Sequence, residues 1–438
     1  MSEVKQKKVM NRWMTVVGAL LVQLALGSIY AWSVFNGPLA GTLDEPKKSV
    51  QVLGIFAVSL AAFGFFVQLG GWLQDRYGPM KVAMLGGVVY ALGYVLSSMS
   101  TESLPMMYMS YAVLGIGVGL GYSCPLACCV KWFPDKKGLV SGISVAGFGA
   151  GTFIFAQVGT YFLDNMGGVV NAYLYLGVIF LVMVLAGSLL LINPEPGYCP
   201  PGWTPPKAGS IGAPGRDFTW REMIRTKSFW YLWIMFVLSA TCGLMMIGNI
   251  GNVSQAFEDI YALDNPGFDS ATQNILLTAQ LATIVCILAV FNGAGRVAWG
   301  FVSDKLGRTK AMKTMFLTQA VIYLAAAAFV MSKPTDENLV FFGVTALVSA
   351  AGFCFGGNFA LFPPTTADYF GTKHFGDNYG KVFTSYGVGG VIGALIPAFV
   401  SGGFEYVFIA VAIGSLAALA IAFMTKPPVA PEEPQASA

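Results

Sequence analysis

The 438-residue sequence contains little charge and a single histidine. Aspartate, glutamate, lysine and arginine make up 11% of the residues, whereas roughly 25% is usual in soluble domains. This shortage excludes an ordinary soluble enzyme, a disordered chain and a coiled coil. The lone histidine, His374, lies in a loop before an apolar stretch, and we expect it to be a solvated loop residue rather than a proton relay.

Cysteine is also scarce, and its pattern indicates no site. The seven cysteines form no spaced pair with a histidine, so neither a zinc site nor a disulfide framework is predicted. The adjacent Cys128 and Cys129 are interpreted as small apolar filler of a helix. No metal or other cofactor is expected, and the sequence lacks the clustered His, Asp or Cys that an intramembrane enzyme needs.

Long apolar stretches dominate the sequence instead. Hydrophobic residues make up 55% of it, and twelve stretches of 19 or more residues are free of charge apart from one arginine. A membrane-spanning helix needs about 20 apolar residues, and backbone in a bilayer must satisfy its own hydrogen bonds. We therefore predict an all-α, multi-pass membrane protein with about twelve transmembrane helices. The twelve stretches are 13–43, 49–74, 82–101, 103–130, 138–163, 165–194, 228–257, 270–303, 314–332, 338–367, 382–404 and 406–425.

Basic residues are distributed unevenly around these stretches. With a cytoplasmic N-terminus, the inner segments hold 21 lysines and arginines, and the outer segments hold only Lys47, Lys48 and Lys333. The positive-inside rule then predicts that both termini are cytoplasmic. Compact loops and a first stretch too long for a cleaved signal favour a bacterial inner membrane. Because the basic residues are spread over the inner loops, a nucleic-acid partner is not expected.

The chain divides at residues 193–227, which are rich in proline and glycine and predict a cytoplasmic linker. Residues 1–192 and 228–425 are then an N-terminal and a C-terminal six-helix bundle, and 426–438 a cytoplasmic tail. The linker is the longest segment outside the membrane, and it is too short for the signalling domain that a carboxylate receptor needs.

A loop motif occurs once in each half of the sequence. Gly71 to Lys81 and Gly300 to Lys310 both read G-x-x-x-D-[RK]-x-G-x-x-K, and both join the second and third predicted spans of their half. The pattern predicts a tight glycine turn between helix ends. It also makes acidic and basic side chains available for pairing across the inner face.

These two loops resemble the signature of the major facilitator superfamily. Within it, the sequence is most similar to the oxalate:formate antiporter family and the related monocarboxylate transporters. The resemblance implies two pseudo-symmetric six-helix bundles that rock around a central cavity and a midplane site. The segments that carry it beyond the two loops are Trp132–Gly138, Phe291–Arg296, Ala360–Pro363 and Asn378–Gly380.

Arg296 is the one charged residue inside a predicted span. It lies eight residues before Asp304, which marks the inner surface, so it is about 12 Å into the membrane and close to the midplane. An intramembrane arginine usually faces the bundle interior or a water-filled cavity. No span offers an Asp or Glu at matching depth, and a guanidinium can hold a carboxylate with two hydrogen bonds. We therefore predict that Arg296 binds an anionic substrate.

Asn292 lies one turn before Arg296 on the same helix face. It can hold the arginine or accept a substrate hydroxyl. In animal monocarboxylate transporters the position resembling Asn292 is acidic, so a proton-coupling role of that acid is not expected here.

Aromatic residues are predicted at a depth similar to that of Arg296. Tyr122, Phe359 and Tyr386 each lie nine residues from a charged marker of the inner surface, about 13 Å deep. The resemblance to the oxalate antiporter family implies an aromatic cage around the substrate. Its members here would be Tyr30, Tyr122, Phe355, Phe359 and Phe383.

Tyr386 suggests the charge of the substrate. In the oxalate antiporter the position resembling Tyr386 is a lysine, which gives two cations for a dianion. With Arg296 alone, a dianion would leave an uncompensated charge in a low-dielectric site. We therefore predict a transporter of small monocarboxylates such as lactate, pyruvate or formate, coupled to a proton or a counter-anion. An oxalate:formate-type exchanger is the alternative.

The inner gate is expected to use charged side chains and glycines. The predicted gating side chains are Asp75, Arg76, Asp304, Lys305 and Arg308. Glycines let helices approach closely, and a run in span 5 (Gly147, Gly149 and Gly151) is expected to face a run in span 11 (Gly387, Gly389, Gly390 and Gly393). We expect the protein to act as a monomer.

Overall fold

A computed structural model describes residues 11–44, 50–195, 197–204, 216–248, 270–334, 336–401 and 403–428. Residues 429–438 of the predicted tail lie outside these ranges. So do six of the basic residues in the charge count, namely Lys5, Lys7, Lys8, Lys47, Lys48 and Lys207.

The described residues form fourteen α-helices and one 3-10 turn. The helices are α1 (Arg12–Gly27), α2 (Trp32–Thr42), α3 (Val50–Tyr77), α4 (Pro79–Ser98), α5 (Leu104–Trp132), α6 (Lys137–Asn165), α7 (Gly168–Ser188), α8 (Trp220–Met223), α9 (Lys227–Gly248), α10 (Ser270–Leu306), α11 (Arg308–Met331), α12 (Glu337–Phe370), α13 (Phe375–Phe399) and α14 (Phe404–Met424).

Within the described residues, eleven helices are long and apolar enough to cross a membrane. They correspond to all the predicted spans except 382–404. That span lies mostly in α13, whose 25 residues begin with a turn that contains Asp377. The predicted all-α membrane fold is confirmed.

The first predicted span is divided into α1 and α2 by a 3-10 turn, Ser28–Ala31. A Cβ at Gly27 would lie 1.9 Å from the carbonyl oxygen of Phe148, so only glycine allows this close approach to α6. The Thr152 hydroxyl donates a hydrogen bond to the Gly27 carbonyl at 2.9 Å. The turn carries Tyr30, whose hydroxyl lies 3.3 Å from that of Tyr386 on α13.

The two copies of the loop motif form the same turn. Gly78 has φ +89° and precedes α4, and Gly307 has φ +88° and precedes α11. Side chains with a Cβ rarely adopt this region, which is why the motif places glycine there. The predicted glycine turns are confirmed in both halves.

Helices on each side of the linker pack mainly among themselves. In the N-terminal set α5 packs on α3 and α4, and in the C-terminal set α12 packs on α10 and α13 on α9. The main contacts between the two sets join α6 to α10 and α3 to α13. The division into domains at 1–192 and 228–425 stays a prediction.

The described part of the predicted linker contacts both sets. The ring centre of Tyr198, in the linker, lies 4.8 Å from that of Trp132 on α5. The Phe218 N–H donates to the Phe370 carbonyl at 2.9 Å. The Phe218 carbonyl accepts a hydrogen bond from the Asn378 side chain. Thr219 caps α8 by donating from its N–H to Glu222, which lowers the pKa of that carboxyl.

Candidate functional site

A cavity of about 400 Å³ lies between the two sets of helices. Its lining includes every side chain that the sequence predicted for substrate binding. These are Tyr30, Tyr122, Asn292, Arg296, Phe355, Phe359, Phe383 and Tyr386. Their role in binding stays a prediction, but their convergence on one space is an observation.

Arg296 is held by three contacts, and its residue is 7% exposed. Its Nε donates to Asn292 Oδ1 at 3.0 Å, the same-face contact that the four-residue spacing predicts. Its Nη1 donates to the Val145 carbonyl oxygen at 2.5 Å, on α6 of the other set. Its Cζ lies 4.5 Å from the centre of the Phe359 ring, a cation–π distance.

The Arg296 guanidinium has no carboxylate partner in the described part of the chain. Nη2 also has no hydrogen-bond acceptor among those residues. Gly149 lies close to the guanidinium, since a Cβ there would be 3.8 Å from Cζ. The arrangement leaves one edge of a buried cation available to an anion.

Aromatic rings form most of the cavity wall. Phe383 stacks on Tyr386 with 5.2 Å between ring centres and lies 5.1 Å from the Tyr122 ring. The Tyr30 and Tyr386 hydroxyls form a hydrogen bond that joins α13 to the 3-10 turn. The Tyr122 hydroxyl makes no hydrogen bond with the described residues, so it can donate to a bound molecule.

The cavity extends from Arg296 toward the face that the charge distribution predicts to be outer. We call the opposite helix ends the inner ends. Sequence reasoning missed nine lining residues, although Leu288 is on the same helix face as Asn292 and Arg296 and that spacing could have identified it. The missed residues are Trp32, Phe56, Phe63, Phe148, Gly149, Thr152, Leu244, Leu288 and Ala289.

The inner ends of α6 and α10 are in tight contact. A Cβ at Gly138 would lie 2.3 Å from the Gly300 carbonyl oxygen, and one at Gly142 would lie 2.2 Å from that of Arg296. The Asp304 carboxylate accepts hydrogen bonds from the N–H groups of Gly138 (2.9 Å) and Leu139 (2.8 Å). An acidic group is favourable there because the first turn of α6 has unpaired N–H groups and a positive helix dipole.

The N-terminal copy of the motif, Gly71 to Lys81, makes the equivalent contact between α3 and α13. Asp75 Oδ2 accepts from the Asp377 N–H at 2.9 Å, in the first turn of α13. Gly71 lies against the Gly376 carbonyl oxygen, only 2.0 Å from an added Cβ. Each motif therefore places one aspartate on the N-terminus of a helix from the opposite set.

An ion-pair network strengthens the α6–α10 side. Arg308 contacts Asp304 at 2.6 Å and Asp368 at 2.7 Å. Lys137, at the start of α6, contacts the same Asp368 at 2.5 Å and so joins the two sets. Sequence reasoning missed the pair formed by Lys137 and Asp368, which are 231 residues apart along the chain.

Two of the predicted gating charges, Arg76 and Lys305, contribute neither to this network nor to the α3–α13 contact. Arg76 lies over the rings of its neighbours Trp72 and Tyr77, each at 5.7 Å. Lys305 lies 4.3 Å from the centre of the Phe301 ring on its own helix. In the described chain neither forms an ion pair, because the turn directs only the aspartate of each motif at the opposite helix.

The expected contact between glycine runs of spans 5 and 11 is wrong. Gly147 and Gly151 pack against α1, with Leu20 and the Leu24 carbonyl as neighbours. Gly389 and Gly393 pack against α9. These glycines serve packing within each set, whereas the close approach between sets uses the glycines at the inner ends.

A family model matches residues 16–289 and 252–438, and its description is Major Facilitator Superfamily. The chain belongs to this superfamily. It is a membrane transporter of this type and not an enzyme. The resemblance predicted from the two loops is thereby confirmed.

Curated relatives cover most of the chain. An uncharacterized MFS-type transporter, YhjX of Escherichia coli K12, is 30% identical over 87% of this chain and 86% of its own. The oxalate:formate antiporter of Oxalobacter formigenes is 31% identical over 95% and 92%. Apicoplast pyruvate carrier 1 of Toxoplasma gondii is 26% identical over 86% and 81%.

A solved structure shares the fold. The proton:xylose symporter XylE, bound to 6-bromo-6-deoxy-D-glucose, superposes with a TM-score of 0.64 at 13% identity, covering 94% of this chain and 95% of the other. At this identity the likeness shows the fold alone.

Proposed function

We propose that this transporter carries small monocarboxylates such as lactate and pyruvate, with the carboxylate bound by Arg296. The observation that supports this is the buried guanidinium beside the cavity, which lacks a carboxylate partner in the described chain. A bound anion supplies the missing countercharge. The oxalate:formate antiporter and the pyruvate carrier among the relatives also act on carboxylates.

The contacts of Arg296 define how the anion can bind. Asn292 and Val145 occupy Nε and Nη1, so the carboxylate takes the Nη2 edge. The hydroxyls of Tyr122 and Tyr386 supply donors for its second oxygen or for a 2-hydroxyl or 2-oxo group. The aromatic wall excludes water around this short polar contact, which strengthens it.

Alternating access would open the site to each face of the membrane in turn. The inner ends are closed by the α6–α10 and α3–α13 contacts, and the cavity extends outward. Arg296 belongs to one set and the Val145 carbonyl to the other. An anion bound at Arg296 therefore sits at the interface that must separate for inward opening.

Oxalate:formate-type exchange is the second candidate. The identity of 31% over nearly the whole length of the oxalate:formate antiporter favours it. The single cation among the described lining residues favours a monoanion over oxalate, because a second negative charge would remain uncompensated. Formate agrees with the similarity to that antiporter and also with the single cation, because it has only one carboxylate.

Uptake by proteoliposomes tests the proposal. Purified protein is reconstituted, and entry of radiolabelled lactate, pyruvate, formate and oxalate is measured with and without a pH gradient. We expect uptake of one or more monocarboxylates. Arg296→Ala should lower it about a hundredfold, since a hydrogen-bonded charge pair is lost.

Arg225→Ala is the matched control, because Arg225 is exposed just after α8 and is not among the residues that line the cavity. It should keep wild-type uptake. Wild-type protein that carries neutral sugars or cations as its main substrates would contradict the proposal, as would normal carboxylate uptake by Arg296→Ala.

A further inference from the structure

Tyr379 lies directly below the cavity, and its hydroxyl has no hydrogen-bond partner in the described chain. The residue is fully buried. It is on the same face of α13 as Phe383 and Tyr386, which follow four and seven residues later. Its ring centre is 5.8 Å from that of Phe383, and it is about 10 Å closer to the inner end than Tyr386.

Tyr379 reaches the cavity wall through Phe383, whose ring also contacts Tyr122 and Tyr386. These three residues line the outward cavity, and Tyr379 does not. A buried hydroxyl without a partner destabilises the state that contains it. The position of Tyr379 directly beneath the cavity wall suggests that its partner arrives in another state of the transport cycle.

Tyr379 lies within the α3–α13 contact, which must open when the transporter opens toward the inner side. Gly376 and Gly380 flank it on α13, and both pack on α3, where added Cβ atoms would lie 2.4 Å from the Gly71 carbonyl oxygen and 2.9 Å from the Gln68 Cα. Opening of the inner side separates α13 from α3. Tyr379 would then face the path between Arg296 and the cytoplasm.

We infer that Tyr379 is a substrate-binding residue of the inward-facing state. Its hydroxyl donates a hydrogen bond to the carboxylate as the anion leaves Arg296 toward the inner face. This inference rests on the proposed function, because it takes the cargo to be a monocarboxylate anion.

The first test is Tyr379→Phe, which removes only the hydroxyl. In proteoliposomes the maximal rate of L-lactate uptake should fall about tenfold, the effect of losing one hydrogen bond to an anion. The KM for external L-lactate should change less than twofold, because Tyr379 does not line the outward cavity. An unchanged maximal rate would overturn the inference.

Tyr323→Phe is the matched control. Tyr323 is equally buried, but its hydroxyl donates to the Cys242 carbonyl at 2.6 Å within the C-terminal set. Its variant should lower the melting temperature and keep the rate per folded protein. Tyr379→Phe should keep or raise the melting temperature while the rate falls, a combination that a merely structural hydroxyl would not produce.

A labelling experiment separates this inference from the proposed function. Tyr379→Cys is made in a chain that also carries Cys199→Ser and Cys286→Ser, since these are the exposed thiols among the described residues. A membrane-impermeant maleimide should modify position 379 from the cytoplasmic face of vesicles and not from the outer face. Absence of modification from the cytoplasmic face overturns the inference, whatever the wild type transports. Absence of wild-type uptake of all four anions overturns the proposed function instead.

Discussion

In the proposed function, the one cation among the described lining residues, Arg296, sets which anion the cavity can balance, and Tyr386 is the residue at which this can be tested. Its ring stacks on Phe383 and its hydroxyl reaches Tyr30. Tyr386→Lys would place a second cation in the cavity near Arg296. We expect the variant to gain oxalate uptake about tenfold above the wild type, because a dianion then has two countercharges.

Tyr386→Met is the control for this substitution, since it removes the ring without adding charge. It should gain no oxalate uptake. Radiolabelled oxalate entry into proteoliposomes measures both variants. A folded Tyr386→Lys protein without oxalate uptake would show that the charge count does not set selectivity.

At the same scale, the sequence predicted one hydrogen bond of Arg296 and could not predict the other. Asn292 is four residues away on one helix, so helical geometry alone brings their side chains together. The Val145 carbonyl is a backbone atom 151 residues away. No side-chain identity encodes such an acceptor, because every residue has the same carbonyl group.

Helix α6 can approach α10 closely because Gly142, at the contact, has no Cβ. A Cβ at Gly142 would lie 2.2 Å from the Arg296 carbonyl oxygen, and a backbone neighbour cannot rotate away. Gly142→Ala should therefore separate the helices, lower the free energy of unfolding by about 1–3 kcal/mol and reduce uptake at least about tenfold.

Gly293→Ala, on α10, is the control for this helix contact. No atom lies within 4 Å of a Cβ added there, and alanine in a helix is more stable than glycine by up to about 1 kcal/mol. Thermal unfolding and initial uptake rates measure both variants. Equal melting temperatures and equal rates for the two proteins would contradict a gating contact at Gly142.

At the scale of the whole molecule, the question is which ion drives transport, and the charges that line the cavity bear on it. Arg296 and one bound carboxylate would form a neutral pair, and no acidic residue or histidine is among those that line the cavity in the described chain. A proton would then travel with the substrate or with water. We expect an inward proton gradient to drive lactate accumulation several-fold above equilibrium, and a protonophore to abolish it.

The matched experiment uses vesicles preloaded with unlabelled lactate or formate at equal pH. Uptake that requires a counter-anion and does not change with the pH gradient would favour the exchanger over proton coupling. Both arms use the same protein and the same isotope, so the comparison does not depend on reconstitution efficiency.

The sequence by itself determined the membrane helices, the paired turns and the alignment of Arg296 with Asn292 along one helix. These depend on apolar length, on glycine at positive φ and on the fixed rise of a helix, which are properties of neighbours along the chain. Only the tertiary structure decided which glycines join the two sets, that Lys137 meets Asp368, and that the Tyr379 hydroxyl has no partner among the described residues. Those contacts link residues far apart in sequence, and their geometry follows from how whole helices pack.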